Sequence, residues 1–557
     1  MSRRVLRPIK ANPLDKVIEA VAPQWAAKRL RARAPMSVAG GYIGARRDRK
    51  ATEAWSVALN SPDADAIPDL ALLRTRSRDL ARNAPIAGGA VLTVVSNVVG
   101  SGLCLRSRPD GKTLKKSDAQ VEVLKDQIER EWRFFADSRE CDLTGHNNFY
   151  QLQALAFRSI LESGDLITIL PMILTDRAVY QTRLQLIEAD RLDNPQGKRD
   201  QEGVLIAGVQ YAADGAPPSV TGKPQGYWIR RYHPGSINGR TSTEADFYPI
   251  YGSRTQRQNI IHTFDRTRPG QSRGIPYLAP VIEPLKQLDR YAEAEIMAAV
   301  VNAMFAVFIK TESKEGFTTS DDELTEIVGD KKNSDIAIGS GTIVDLADGE
   351  EPVPFQPTRP NSQFDPFVEA ILRQVGVTLG LPFEVLVKHF TASYSAARAA
   401  LLEAWRFFKN RRSFMSSQWC DPIFETWMWE AVSSGRIDAP GFFADPAIRM
   451  AYLRCDWIGD AQGSIDPNKD VEAAIARMGA RLSTLEQETL EINGTDWAEN
   501  HTQIVKEQTL AKKDGLIPPP GQVAPAKGTP DNQTKDGSKK GNQQQGSDTE
   551  NETQQNY

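Results

Sequence analysis

Leu285, Leu288, Ala292, Ile296, Ala299 and Ala303 recur at steps of three and four, which lays down one helical face. The spacing predicts a helix over 278–304, about 40 Å long at 1.5 Å per residue. Many of its apolar side chains are small, which suits close helix-to-helix contact. Strand-like runs, AVFIKT and GTIVDL, follow around a polar stretch rich in Lys, Asp and Gly. A second helix is predicted over 363–380 (QFDPFVEAILRQVGVTLG), and Pro382 breaks it. Two helices thus flank a small β-containing excursion, and any fold assigned to the chain has to accommodate that pair.

The chain is 557 residues long, too long for one compact core, and argues for several domains. Residues 66–100 read as helical with a break near Pro85, and 119–137 and 148–163 also carry helix spacing. The runs DLITILPMIL, RLQLIEA, GVLIAGVQY and YWIRRYH then read as strands between Gly, Pro and Asp turns. Residues 46–275 are therefore expected to form an α+β domain. After Pro382, the loop LPFEVLVKHFTASYS feeds a helix predicted over 395–420, where Leu401, Trp405, Phe408, Met415 and Trp419 share a stripe. Tryptophans concentrate between 405 and 457, as a packed core requires. A small three-helix module is expected after Asp466. Ser483 with Glu486 fits a capping box, Gly479 and Gly494 stand where helices end, and Thr495 is placed to cap the last helix.

Composition is that of a soluble folded protein, with 40% hydrophobic and 25% charged residues. No apolar run follows the basic N-terminus, so no secretory signal is read there. The apolar runs Ala90–Leu105 and Ile296–Ile309 are too short to span a bilayer, and each contains Asn. Cys104, Cys141, Cys420 and Cys455 are far apart and read as reduced thiols. Charge is unevenly divided. Residues 1–50 hold 13 Lys/Arg against 3 Asp/Glu, whereas residues 51–513 carry a net charge of −11. A surface that grips DNA should be basic, since affinity comes largely from neutralised phosphates. This body is the reverse, so either DNA is not its ligand or DNA has to move past without sticking. The basic first segment reads as a flexible arm, and the Pro-, Gly- and Gln-rich end from Asp514 cannot bury enough apolar surface to fold.

Chemistry-bearing motifs are sparse. Gly111-Lys112-Thr113 matches half of a phosphate loop, but Arg106 stands where the first glycine is needed, so no nucleotide site is expected. The histidines show no metal-ligand spacing. Glu188, Asp190 and Asp193 in LIEADRLDNPQG are the one carboxylate group of nuclease type, and they read first as a strand ending in an Asp/Asn/Pro/Gly turn. Lys388 and His389 in VLVKHFTASYS read as an exposed loop pair. No catalytic residue, cofactor or metal is expected.

Several of these segments together resemble the lambda-type family of phage portal proteins. The most specific is IIHTFDRTRPGQSRGIPYLAPVIEPLKQLDRYAEAEIMAAVVNAMFAVFI, residues 260–309. LPFEVLVKHFTASYSAARAALLEAW (381–405), DPNKDVEAAIARMGARLSTLEQETLEINGTDW (466–497), LARNAPIAGGAVLTVVSNVVGSGLCLR (80–106) and IEADRLDNP (187–195) fit as well, in order. The resemblance implies an α+β multidomain portal fold. Its parts would be a basic arm (1–45), a wing (46–275, returning over 396–465), stem helices (276–304 and 362–381), a clip (305–361), a tunnel loop (382–395), a helical crown (466–512) and a tail (513–557). It also implies a structural protein, not an enzyme, made in the host cytoplasm and built into the virion as a homo-oligomeric ring, typically of twelve, at one capsid vertex. Its partners would be double-stranded DNA in the channel, the terminase large subunit, the major capsid protein and the head–tail neck proteins, with no membrane. Lys388, His389, Thr391 and Ser393 are the residues expected to face DNA. The competing expectations are a metal-dependent DNA-processing enzyme, which needs Glu188, Asp190 and Asp193 to converge, and another head or neck protein lacking the two-helix stem.

Overall fold

A computed structural model describes residues 54–303, 307–311, 350–354, 364–390 and 393–516, apart from positions 56, 214, 220–221 and 464–465. The chain divides into two compact units between Gly459 and Asp460.

The first unit opens with α1 (Pro62–Asn83), capped by Ser61, and α2 (Pro85–Val98). Ala84 between them is extended (φ −96°, ψ 115°), because a residue before proline is pushed out of the helical region. The predicted break therefore lies where Pro85 enforces it. Strand β1 (Cys104–Ser107) follows, then α3 (Asp118–Ala136) and α4 (Phe149–Ser163). Both helices start in a capping box, Ser117 with Gln120 and Asn148 with Gln151.

Two antiparallel sheets come next. In the first, the fully buried β2 (Asp165–Ile169) lies between β3 (Gln185–Glu188) and a strand that arrives from much later in the chain. The second orders β4 (Leu205–Ile206), β5 (Val209–Gln210), β6 (Gly226–Arg230) and β7 (Ala245–Pro249). GVLIAGVQY is not one strand, as its apolar run suggested. Ala207 (φ 45°) and Gly208 (φ 85°) both take left-handed backbone and fold the run into a two-residue hairpin. The late strand of the first sheet is β8 (Ile260–Phe264), which places His262 opposite Ile167.

Helix α5 (Ile282–Ala303) buries Leu285 and Leu288 at its start. Beyond it β9 (Val307–Thr311) pairs antiparallel with β10 (Glu350–Pro354). Within AVFIKT, Val307–Thr311 is thus a strand; its partner EEPVP carries no strand signal, and GTIVDL lies outside the described residues. The chain returns through α6 (Phe364–Leu379), joined to α5 where Tyr291 stacks on Phe364 at 5.4 Å and meets Phe367 edge-on at 5.3 Å. A short α7 (Phe383–Val387) and the long α8 (Tyr394–Met415) follow. The predicted 395–420 helix runs further than its apolar stripe indicated: a π-turn at Ser416–Cys420 leads straight into α9 (Asp421–Ser433). After α10 (Pro446–Leu453), β11 (Cys455–Ile458) pairs antiparallel with β1. The end of the unit is thereby hydrogen-bonded to its first described strand.

One apolar core runs from Leu80 to Tyr452, and the tryptophan-rich stretch contributes to it as expected, with Trp419 and Trp427 fully buried. The segment leading into α5 is held at a backbone crossing. A Cβ on Gly274 would lie 2.0 Å from the carbonyl oxygen of Gly164, itself at φ +91°. Neither backbone is free to retreat, so Gly274→Ala is expected to cost about 1–3 kcal/mol or more. A urea unfolding curve checks this, with Gly270→Ala showing only the strain of its own positive φ because no atom lies within 4 Å of its Cβ.

Among its described residues the second unit holds three helices, α11 (Pro467–Gly479), α12 (Leu485–Asn493) and α13 (Trp497–Lys513). Its caps are shifted by one residue from those expected. Thr484, not Ser483, accepts from Gln487 N, and Asp496, not Thr495, accepts from Ala498 N at 2.7 Å. Gly494 ends α12 at φ 67° as anticipated, whereas Gly479 is helical and Arg481 is the left-handed residue after α11.

Candidate functional site

The exposed turn between α6 and α8 is assembled from its buried side outward. Gly380 takes φ +68°, which L-residues with side chains disfavour, and a Cβ there would also press on the Phe407 ring. Leu381 N donates to Gly376 O at 2.8 Å, and the Tyr277 hydroxyl donates to Leu379 O. Leu381, Val385 and Leu386 are buried, so the first half of LPFEVLVKHFTASYS is an anchored helical turn and not a loop. Lys388 ends that turn at φ +57°, and His389 N donates to Glu384 O at 3.1 Å. Lys388 and His389 are both exposed, as their sequence context suggested. Ser393 is committed elsewhere: its hydroxyl caps α8 by accepting from Ala396 N. Thr391 lies outside the described residues. The sequence reading passed over Phe390 and Tyr394, half-exposed aromatics on either side of the turn, and Arg398, which reaches the Tyr394 hydroxyl at 3.4 Å. Lys388 and His389 thus stand exposed on an anchored turn.

The carboxylate group rearranges. Asp193 turns onto Arg230 at 3.3 Å and leaves the other two. Asp190 is paired with Arg78, which also donates to Ser163 Oγ at 2.9 Å. In place of Asp193 stands His233, and one ligand-type atom each from Glu188, Asp190 and His233 lie within 4.8 Å of one another. His233 Nδ1 accepts from Gly235 N at 3.0 Å, and its Nε2 stands 3.1 Å from Glu188 and 3.9 Å from Asp190. Nε2 is buried and makes no hydrogen bond to either carboxylate, while Asp190 and Asp193 are paired with Arg78 and Arg230. The half phosphate loop closes similarly on itself: Asp110 accepts from Lys112 N at 3.1 Å and from Thr113 Oγ1 at 2.7 Å, filling the place an anion would take.

A buried charge cluster joins α1, β2, β8 and the entry to α5. Asp165 is fully buried and accepts from Arg74 Nη2 and Arg273 Nε, each at 2.7 Å, and from His262 Nε2 at 3.1 Å. Arg273 continues to the carbonyls of Ala189, Leu192 and Ala207. Burial favours the neutral acid, but Arg273, then Arg74 and His262, overcome it and hold the carboxyl well below the usual range. Buried thiols go the other way, and burial pushes Cys141 up to about 12, where it stays protonated.

Taken together, these elements place two helices around a β-ribbon, rooted in an α+β body that the chain re-enters at its first described strand. Comparison with known proteins is specific. The profile of the phage portal protein, lambda family, matches residues 48–412, and the chain belongs to that family, the portal proteins of the phage head–tail connector. It is 26% identical over 493 residues to Portal protein B of Escherichia phage lambda, covering 84% of this chain and 88% of that one. It is 25% identical over 504 residues to the portal protein of Escherichia phage N15, covering 86% and 91%. Among solved structures, the neck of a native GTA particle computed with C12 symmetry matches at 14% identity with a TM-score of 0.42, covering 76% of this chain and 92% of that one. Among the described residues, no helix is long and apolar enough to cross a membrane.

Proposed function

We propose that copies of this chain close into a ring, typically of twelve, at one capsid vertex of the virion, and that double-stranded DNA enters and leaves the head through its centre. The ordered family match over 48–412 carries this reading. In it, α5 and α6 are the stem, the β9–β10 ribbon belongs to the clip, the turn after α6 is the tunnel loop, and the three-helix unit is the crown. The body over 46–275 and 396–465 is the wing. The terminase large subunit docks on the clip during packaging and neck proteins replace it afterwards, while the wing meets the major capsid protein. The chain does no chemistry of its own, is made in the host cytoplasm and needs no cofactor. Its acidic body repels phosphate, so DNA slides without a deep binding minimum, and Lys388 and His389 add weak, salt-sensitive contacts.

Negative-stain electron microscopy with particle mass measurement tests the ring. Rings with a central hole support it, and a uniform monomer under all assembly conditions overturns it. A second experiment tests the loop. Lys388→Ala with His389→Ala is expected to leave rings intact and to reduce DNA retention in filled heads, most clearly at low salt, where the wild-type contacts are least screened. Unchanged packaging and retention would remove the loop from the mechanism.

A further inference from the structure

Immediately before α1 the chain is fixed to the body at a defined point. Arg268 Nη2 donates to Asn60 O at 3.2 Å and its Nη1 lies 2.5 Å from Asp65, while Asp63 accepts from Ser272 N at 2.8 Å and Ser272 Oγ at 2.6 Å. Upstream of that anchor the side chains stand in solvent. Trp55 is 72% exposed, Val57 75% and Leu59 105%. They alternate with small residues, the period of a strand that presents one apolar face. Large apolar side chains grouped this way mark a surface made to be covered.

The charge on either side says by what. The segment carrying this apolar face begins with 13 Lys/Arg against 3 Asp/Glu in residues 1–50, and the body of the same chain, 51–513, is net −11. A second copy of the chain therefore offers a net acidic body to a basic partner, whereas the chain's own body leaves Leu59 fully exposed. We propose that the segment around Trp55, Val57 and Leu59 is a clasp that lies on the body of a neighbouring copy, so that each subunit holds the next by an apolar stripe with a basic flank. Such a contact joins two different surfaces of identical chains, the head-to-tail kind that closes into rings. It rests on the ring reading above and adds to it the element that holds adjacent subunits together.

The test uses the full chain assembled from an equal mixture of unlabelled and nitrogen-15-labelled copies, with a photoreactive benzoylphenylalanine in place of Val57. After illumination, the cross-linked peptides are read by mass spectrometry and the same sample is counted by electron microscopy. Mixed light–heavy pairs in about half of the cross-links are expected. Rings with only same-isotope pairs, or with none, overturn the clasp and leave the ring standing. Mixed pairs without rings do the opposite. As a second variant, Trp55→Ser with Val57→Ser and Leu59→Ser is expected to reduce ring yield at least tenfold while the thermal melt of the monomer is unchanged. Full ring yield from that variant also overturns the clasp.

Discussion

Asp165→Asn is expected to destabilise the first unit by about 3–5 kcal/mol, the cost of leaving buried charge without its partner. The carboxylate has no solvent exposure and accepts from two arginines that are themselves about as buried, Arg74 at 4% and Arg273 at 2%. An amide keeps the shape but presents no negative charge and offers one acceptor fewer. The damage spreads because each partner holds a different element: Arg74 comes from α1, His262 from β8, and Arg273 from the segment leading into α5. Urea unfolding followed by tryptophan fluorescence checks the size of the loss. A midpoint within the error of the wild type would show that the node carries no net stability.

The same node sets a pH dependence with a definite sign. Burial lowers the His262 pKa from its usual 6.5, and the Asp165 hydrogen bond opposes this without reversing it. Below about 6.5 the unfolded chain therefore takes up a proton that the folded chain refuses, and stability falls as pH falls toward the folded value. Asp165 does not add to that slope. Its folded pKa is depressed, so its contribution is present above the unfolded value near 3.9 and is lost only below it. Unfolding midpoints at pH 7.5 and 5.5 are expected to differ less in His262→Gln than in the wild type.

How much of this was readable in the sequence depends on whether a feature is local. Helices α3 to α5 carry their period and their caps within one stretch of chain, and the reading placed them to within a few residues. The same locality explains the small errors. Ser483 with Glu486 and Thr484 with Gln487 both have capping-box spacing, and nothing local separates two adjacent hydroxyls. The run LPFEVLVKHF looked like a loop because α7 is too short to show a period, and its helical turn is stabilised by burying Val385 and Leu386. Lys388 and His389 were legible as an exposed pair, since neither has an apolar neighbour pattern that would draw it inward. The Asp165 node was invisible, because DLITIL, RTRSRD, IIHTF and QSRGI are unremarkable separately and meet only through the sheet. For the same reason His233 was missed and Asp193 was wrongly grouped with Glu188 and Asp190, since spacing in a turn does not reveal which arginine each carboxylate will find.

Trp132→Ala is expected to cost about 3–5 kcal/mol, and its consequences reach the other end of the unit. The ring is 1% exposed and lies within 6 Å, centroid to centroid, of Phe135, Phe149, Phe424, Trp427 and Trp457, most of them edge-on. Three of those partners come from α9 and β11, which lie far along the chain from α3, so α3 and the returning segment share one piece of core. Removing the indole opens a cavity that the locked neighbours cannot close, and it loosens the contact that returns the chain to β1. Trp132→Phe separates the two effects. The indole N–H has no hydrogen-bond acceptor among the described residues, so phenylalanine forfeits volume but no hydrogen bond and is expected to cost well under half as much. Proteolysis gives the sharper readout. In Trp132→Ala, cleavage is expected to appear first between α9 and β11, around Gly435–Gly441, while α4 and β2 stay protected. Uniform loss of the whole unit would mean that the returning segment has no separate stability. In that case the long-range aromatic cluster is what makes the first unit cooperative from α1 to β11.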